Sequence, residues 1–372
     1  MWGAYLSRTA VQTQHRINQK PARNEVEGSS GGHKLKMIRV AKISMAHVHA
    51  GGYARKINEN PETELVAVWD EEDFDHGGGG REAAEQYEVP FYTDLDEVLS
   101  RDDVDAVAVD AITSDHPRVM IAAAEAGKHI FTEKALAITV AECDPIIDAV
   151  EKAGVKFMIS LPSRANPEIL FAKKAIDDGL LGDITFGRGR IAHSAALDSW
   201  FSGTSAWFAD PERAGGGALF DLGCHRVDVI RWLMGEPKSA IAKINNFTGN
   251  FPIDDNSVSV VEFANKALGV IDVAWTQRSG PNMLEIYGTE GSFAAGHDGE
   301  MHFETRKLSD EEKAEYIANA PAAPPEPIQQ WINAILRDEP VTITIQDGRN
   351  LTELMQAFYM SSEQGQSIDF PL

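Results

Sequence analysis

Cysteine is nearly missing from this chain. Cys143 and Cys224 are the only two, too few for a disulfide framework. No CxxC pair or Cys/His cluster suggests structural zinc, and no metal site is expected. A reducing cytoplasm is the simplest compartment. Positive charge is scarce too. Lys and Arg number 34 against 57 Asp and Glu, a net charge of −23 on 372 residues. Such a surface repels phosphate backbones, so sequence-independent nucleic-acid binding is not expected. It also disfavours docking on an anionic membrane. No apolar run approaches the ~18–20 residues that a membrane span needs.

What is present is ordinary for a globular protein: 43% hydrophobic and 24% charged residues. The length suggests about two domains. Residues 1–36 have no sustained apolar period and end in a Ser/Gly/His/Lys cluster. They read as a disordered tail, or as a start placed too early, with Met37 opening the fold. From Ile38 onward short apolar strands alternate with helical segments: IRVAKIS (38–44), LVAVWD (65–70), VDAVAVD (104–110), KHIFTEK (128–134) and VKFMIS (155–160). That alternation predicts an α/β fold, a doubly wound parallel sheet over residues 37–160. After about residue 180, strands follow one another with few helices between them. Residues 161–372 therefore read as an α+β domain with a large open, mostly antiparallel sheet. Helices over 325–338 and 347–364 close it.

The first strand–helix turn reads Ser44-Met45-Ala46-His47-Val48-His49. A dinucleotide turn normally carries GxGxxG, because glycines let the backbone approach the pyrophosphate at a helix N-terminus. That fingerprint is lacking, although small Ser44 and Ala46 leave room for close approach. Asp70 ends the second strand. An acid there either hydrogen-bonds the adenosine ribose and repels a 2′-phosphate, or is simply solvated. Thr132-Glu133-Lys134 lies at the carboxyl edge of a parallel strand, where open α/β sheets bind ligands. Lys134 is then either a donor to a substrate hydroxyl or a surface lysine. The richest segment is AGGGALFDLGCHRVDVIRWLMG (214–235). Its glycines permit unusual backbone before a helix. Asp221 and His225, four apart, share a helix face. A carboxylate beside an imidazole orients it and tunes it toward neutrality, which suits acid–base work at a hydroxyl or ketone. The same spacing also suits a helix-capping Asp and a core His.

The ordered set FTEKA (131–135), GGGALFDLGCHRVD (215–228) and YGTEGSF (287–293) resembles the glucose–fructose oxidoreductase / inositol dehydrogenase / rhizopine catabolism family, written Gfo/Idh/MocA, over residues 37–372. The resemblance implies a Rossmann domain with NAD, in preference to NADP, and hydride transfer at a hydroxyl-bearing carbon of a sugar, glycoside or cyclitol. It places the usual triad on Lys134, Asp221 and His225. There His225 is the general base, Lys134 polarises the reacting oxygen, and Asp221 orients substrate and His225. It places cofactor contacts on Ser44, Met45, Ala46, His47, Asp70, Thr113, His116, Glu133 and Lys134, with His116 near the nicotinamide ribose. Three segments depart from the family pattern: the ISMAHVH turn, Glu133-Lys134-Ala135 for Glu-Lys-Pro, and Ala111-Ile112-Thr113 for Thr-Pro-Asn.

Substrate contacts are expected from Arg164 and Asn166 after the sixth strand, from His193, and from Trp207, with Trp200 beside it. Two other functions fit the same resemblance. One is redox-neutral glycoside cleavage with a retained NAD. The other is a non-catalytic sensor of cofactor or sugar, against which the intact Lys134, Asp221 and His225 count. The open sheet needs a cover, and relatives pair through it, so a homodimer or homotetramer is expected.

Overall fold

Strand β1 (Ile38–Ile43) is buried along its whole length except Arg39, with Lys42 as its one buried charge. The computed structural model describes residues 37–71, 79–296 and 300–372. The expectation for residues 1–36 lies outside them. Five more strands join β1: β2 (Thr63–Trp69), β3 (Phe91–Tyr92), β4 (Ala106–Val109), β5 (His129–Thr132) and β6 (Phe157–Ile159). All pairs are parallel, in the order β3-β2-β1-β4-β5-β6. The chain therefore switches direction of travel between β1 and β4, and their carboxyl ends open the crevice where such sheets bind ligands.

Crossover helices start and stop by local chemistry. In the helix Val140–Ala153, Thr139 and Glu142 form a reciprocal capping box and Gly154 closes the end in the left-handed region. Pro145 lies inside that helix without ending it.

The second sheet has eight strands: β7 (Ile184–Ala192), β8 (Pro237–Asn245), β9 (Asn256–Phe263), β10 (Leu268–Ala274), β11 (Leu284–Gly288), β12 (Gly291–Ala295), β13 (Met301–Thr305) and β14 (Ile368–Asp369). Their order is β13-β12-β11-β7-β10-β9-β8-β14. Among the described residues of this sheet, only β7 and β10 pair in parallel. One face is covered by the helices Cys224–Met234 and Ile345–Gln364. Gly187 permits that closeness, since a Cβ there would sit 2.3 Å from Met234 Sδ. The other face is open, and Ile241, Val258, Leu268 and Tyr287 remain 40–52% exposed on it. Residues 37–372 pack as one compact unit. The helices Pro167–Asp177 and Asp310–Ala318, and the strands β3 and β13, were not expected from the pattern. The two strands are short and the helix Asp310–Ala318 buries no residue, so those segments show no clear period.

Candidate functional site

The turn after β1 is built without glycine. Ser44 adopts a left-handed φ of 62°. Its hydroxyl donates to Asp70 Oδ1 at 2.8 Å, and the Met45 amide donates to Asp70 Oδ2 at 3.2 Å. The Ala46 amide in turn donates to Ser44 Oγ at 3.2 Å. Asp70 is thus neither solvated nor pointing freely outward. It is 4% exposed and braces the turn, and burial pushes its carboxyl above the usual range. Beneath the turn, Lys42 pairs with Asp110 at the end of β4, both fully buried. Burial lowers the Lys42 ammonium although Asp110 opposes this. A lysine inside a buried strand read only as a break in the apolar run; its partner is 68 residues away.

Glu133 follows β5 and is 2% exposed. Its Oε1 lies 3.0 Å from His49 Nδ1 and accepts from Tyr53 Oη at 2.7 Å. Ser160 Oγ lies 2.8 Å from the same tyrosine oxygen. Burial opposes the charge on Glu133, but His47 and His49 outweigh it and hold the carboxyl well below the usual range. His49 and Tyr53 escaped the sequence reading because helical period alone gives no sign of what a residue across the crevice offers. His47, His49 and Glu133 each bring one ligand-type atom, all within 4.8 Å of one another, a donor set of the kind that divalent cations accept.

Lys134 and Asp221 meet. Lys134 Nζ donates to Asp221 Oδ1 at 2.7 Å and to the Asp221 carbonyl at 2.8 Å. The Lys134–Ala135 peptide is cis. Burial works against the Lys134 charge, but Asp221 outweighs it and holds the ammonium above its ordinary value. The same pairing lowers the Asp221 carboxyl against its burial. Asp221 does not cap a helix. It sits inside the π-helical turn Leu219–Gly223, and the amides that open this turn are satisfied from a distance by Asp254. Asp254 accepts from the Gly217 amide at 2.7 Å, the Leu219 amide at 3.0 Å and Tyr359 Oη at 2.8 Å. The glycine triplet exists for this approach: a Cβ on Gly217 would lie 2.0 Å from the Asp254 carbonyl oxygen.

His225 stands one turn beyond Asp221, yet Asp221 gives its carboxylate to Lys134. The buried Nδ1 of His225 has no hydrogen-bond partner among the described residues. Its pKa is not tuned toward neutrality. Burial pushes it down to about 4, and the Lys134 charge adds to the effect. His193 lies under Trp200, ring centroids 4.8 Å apart, and its Nδ1 accepts from the Ala195 amide at 3.2 Å. Its neutral form therefore carries the proton on Nε2.

Four expected contacts have other tasks. Arg164 is buried in ion pairs with Asp228 at 2.6 Å and Asp347 at 2.9 Å, beneath helices that the sequence could not bring together. Asn166 caps the helix Pro167–Asp177 by accepting from the Glu168 amide at 2.9 Å. Trp207 is 2% exposed, and its Nε1 donates to the Ala46 carbonyl at 3.0 Å, so it fastens the turn rather than offering a stacking face. His116 is 1% exposed, with Nδ1 2.8 Å from the Ala135 carbonyl and Nε2 3.2 Å from that of Ala111. It ties the turn after β4 to the Lys134 segment. Thr113 is buried, but it borders the cleft that Lys134 and Asp221 line.

Comparison with known proteins bears on this arrangement. Residues 46–161 match the profile described as an oxidoreductase family with an NAD-binding Rossmann fold. Residues 169–294 match the GFO/IDH/MocA C-terminal domain. The chain belongs to the Gfo/Idh/MocA family. It is 30% identical over 237 residues to levoglucosan dehydrogenase of Pseudarthrobacter phenanthrenivorans, a match spanning 56% of this chain and 60% of that relative. It is 26% identical over 290 residues to myo-inositol 2-dehydrogenase of Thermotoga maritima, covering 74% of this chain and 83% of the other. The fold superposes on the WlbA dehydrogenase from Bordetella pertussis, solved with NADH and UDP-GlcNAcA, with a TM-score of 0.79 at 20% identity over 91% and 99% of the two chains.

The residues of this Gfo/Idh/MocA chain fit a nicotinamide dinucleotide. The crevice lies at the switch point of the parallel sheet. The turn at its floor is held in shape by Asp70 and leaves the buried His47 Nε2 without a partner among the described residues. The inner end of the crevice narrows between Thr113, Lys134, Phe208 and Asp221. An open cleft lined by Trp69, Glu71, Thr93, Asp96 and Arg118 adjoins the carboxyl end of β2.

Proposed function

We propose that the chain is an NAD-dependent oxidoreductase acting at a hydroxyl-bearing carbon of a sugar, glycoside or cyclitol. The observation that supports this best is the Lys134–Asp221 clamp at the carboxyl edge of the cofactor sheet, with His225 one helical turn away. When bound, the nicotinamide supplies the hydride acceptor. Lys134 donates to the substrate oxygen and stabilises the negative charge that grows on it. Asp221 keeps that ammonium charged and aimed. His225, neutral at ordinary pH, accepts the hydroxyl proton. His193 donates its Nε2 proton to a neighbouring hydroxyl. Ser44, Met45, Ala46 and His47 form the floor under the dinucleotide, and Thr113 and Glu133 flank its nicotinamide half.

Pairing of two copies through the open face of the second sheet completes the reading. Among the described residues no helix is long and apolar enough to cross a membrane. Both cysteines are buried free thiols, which suits a reducing cytoplasm.

The test is a nicotinamide absorbance screen across sugars, glycosides and inositols with both cofactors. Turnover with any of them, lost in Lys134→Ala, supports the reading. One relative, 32% identical over 183 residues and spanning 45% of its length, is named 2,7-anhydro-N-acetylneuraminate hydratase. A redox-neutral reaction is therefore the second reading. Sustained conversion without added NAD, and without net nicotinamide reduction, would select it.

A further inference from the structure

We infer that the adenosine end of the dinucleotide is selected by Glu71 and Arg118, and that Asp70 serves the turn instead. This rests on the cofactor reading above. Both oxygens of Asp70 are engaged: Oδ1 accepts from Ser44 Oγ at 2.8 Å and the Glu71 amide at 3.2 Å, and Oδ2 accepts from the Met45 amide at 3.2 Å. The helix Gly80–Tyr87 begins hard against it, since a Cβ on Gly80 would lie 2.4 Å from Asp70 Cβ. Asp70 is 4% exposed, and its hydrogen bonds go to the turn and to its own chain neighbour.

Glu71 is the next residue and differs in every respect. Its side chain is 45% exposed and borders the open cleft at the end of β2, with Trp69, Thr93, Asp96 and Arg118. Arg118 Nη2 donates to Glu71 Oε1 at 2.6 Å, and its guanidinium lies 5.6 Å from the Trp69 ring centre. Asp115 lies 3.6 Å from the same nitrogen.

A free 2′-hydroxyl on the adenosine ribose is read by an acid at this edge, and a 2′-phosphate by an arginine. This cleft holds both, with the arginine neutralised by the acid. Glu71 therefore has two effects. It accepts from ribose hydroxyls, and it keeps Arg118 from answering a phosphate. Asp94 and Asp96 add negative charge to the same cleft. A 2′-phosphate would have to part Glu71 from Arg118 and then face both acids. Arg118 is a latent 2′-phosphate site that Glu71 holds closed.

The experiment measures NAD⁺ and NADP⁺ binding by titration calorimetry, together with melting temperature. The proteins are the unaltered chain, Glu71→Gln, Glu71→Gln/Arg118→Ala and Asp70→Asn. The unaltered chain should prefer NAD⁺. Glu71→Gln should raise the NADP⁺-to-NAD⁺ affinity ratio about tenfold, equivalent to ~1.4 kcal/mol. Adding Arg118→Ala should remove that gain. Asp70→Asn should weaken both dinucleotides alike and lower the melting temperature. A Glu71→Gln ratio equal to that of the unaltered chain overturns the inference, as does an Asp70→Asn variant that shifts the ratio by itself. A gain that survives Arg118→Ala overturns the part given to arginine. If the unaltered chain binds neither dinucleotide, the cofactor reading falls and takes this inference with it. An unchanged ratio in a chain that binds NAD⁺ overturns the inference alone.

Discussion

Lys134 Nζ is held by two oxygens of a single residue, the Asp221 carboxylate at 2.7 Å and the Asp221 carbonyl at 2.8 Å. The carbonyl is available because the chain there winds as a π-helical turn, which leaves its hydrogen-bonding pattern irregular. Asp221→Asn removes the charge that keeps the ammonium protonated and aimed. Turnover should fall about 10²-fold or more, the scale of losing one donor to a reacting oxygen. Lys134→Ala should cost at least as much. The double variant should be no worse than the poorer single one, because the pair acts as a unit. Steady-state rates with a good substrate check this.

The acid limb of the pH profile should lie low. Burial and the Lys134 charge push His225 down to about 4 from an ordinary 6.5. The limb of kcat/KM, which reports the free enzyme, should be centred there and not near neutrality. Stability follows the same sign. The unfolded imidazole takes up a proton first, so His225 contributes fully above about pH 6.5 and loses that contribution as pH falls through about 4. His47, pushed by burial to about 3, adds to the same trend. Urea midpoints measured across this window should drop less steeply in His225→Gln.

Asp254 is predicted to support the site from a distance. It satisfies two amides ahead of the Asp221 turn and also bonds Tyr359. Asp254→Ala should cost about 1–2 kcal/mol from the lost cap alone and should lower turnover by loosening Asp221. Gly217→Ala should do more harm, since its Cβ meets the Asp254 carbonyl oxygen at 2.0 Å. Thermal melts and rates on the two variants separate a lost cap from a displaced segment.

The buried Lys42–Asp110 pair should show the asymmetry of enclosed charges. Lys42→Met alone leaves Asp110 uncompensated and should cost about 3–5 kcal/mol. Lys42→Met with Asp110→Leu should recover much of that loss. Denaturant midpoints of the three proteins test it.

Pairing through the open sheet face predicts that Leu268→Glu with Val258→Lys yields a monomer. Both residues are about half exposed, on adjacent strands of that face. Light scattering on the eluted protein decides the outcome. A dimer that persists would place the interface elsewhere.

Much of the architecture is local chemistry and was legible early. The apolar run VDAVAVD marks a strand buried on both faces, and Gly154 and the Thr139–Glu142 pair mark helix ends. The meeting of Lys134 with Asp221 was legible only through family resemblance, because nothing within either segment refers to the other. The partners of Arg164 and Trp207 were not legible for a related reason. An arginine after a strand and a tryptophan in a loop have the same composition whether they face a ligand or a neighbour.

Residue order alone settles that this chain forms a parallel α/β sheet followed by a mostly antiparallel one, because hydrophobic period and turn residues act over a few positions. It also determined which residues are chemically able to bind and transfer protons. Tertiary packing set their partners and surroundings. It turned Asp70 inward to the turn, gave Asp221 to Lys134 rather than to His225, and moved His225 away from neutrality by enclosing it. Each of those outcomes depends on burial and on charges brought from distant segments. Those are properties of the packed interior that residue order does not express.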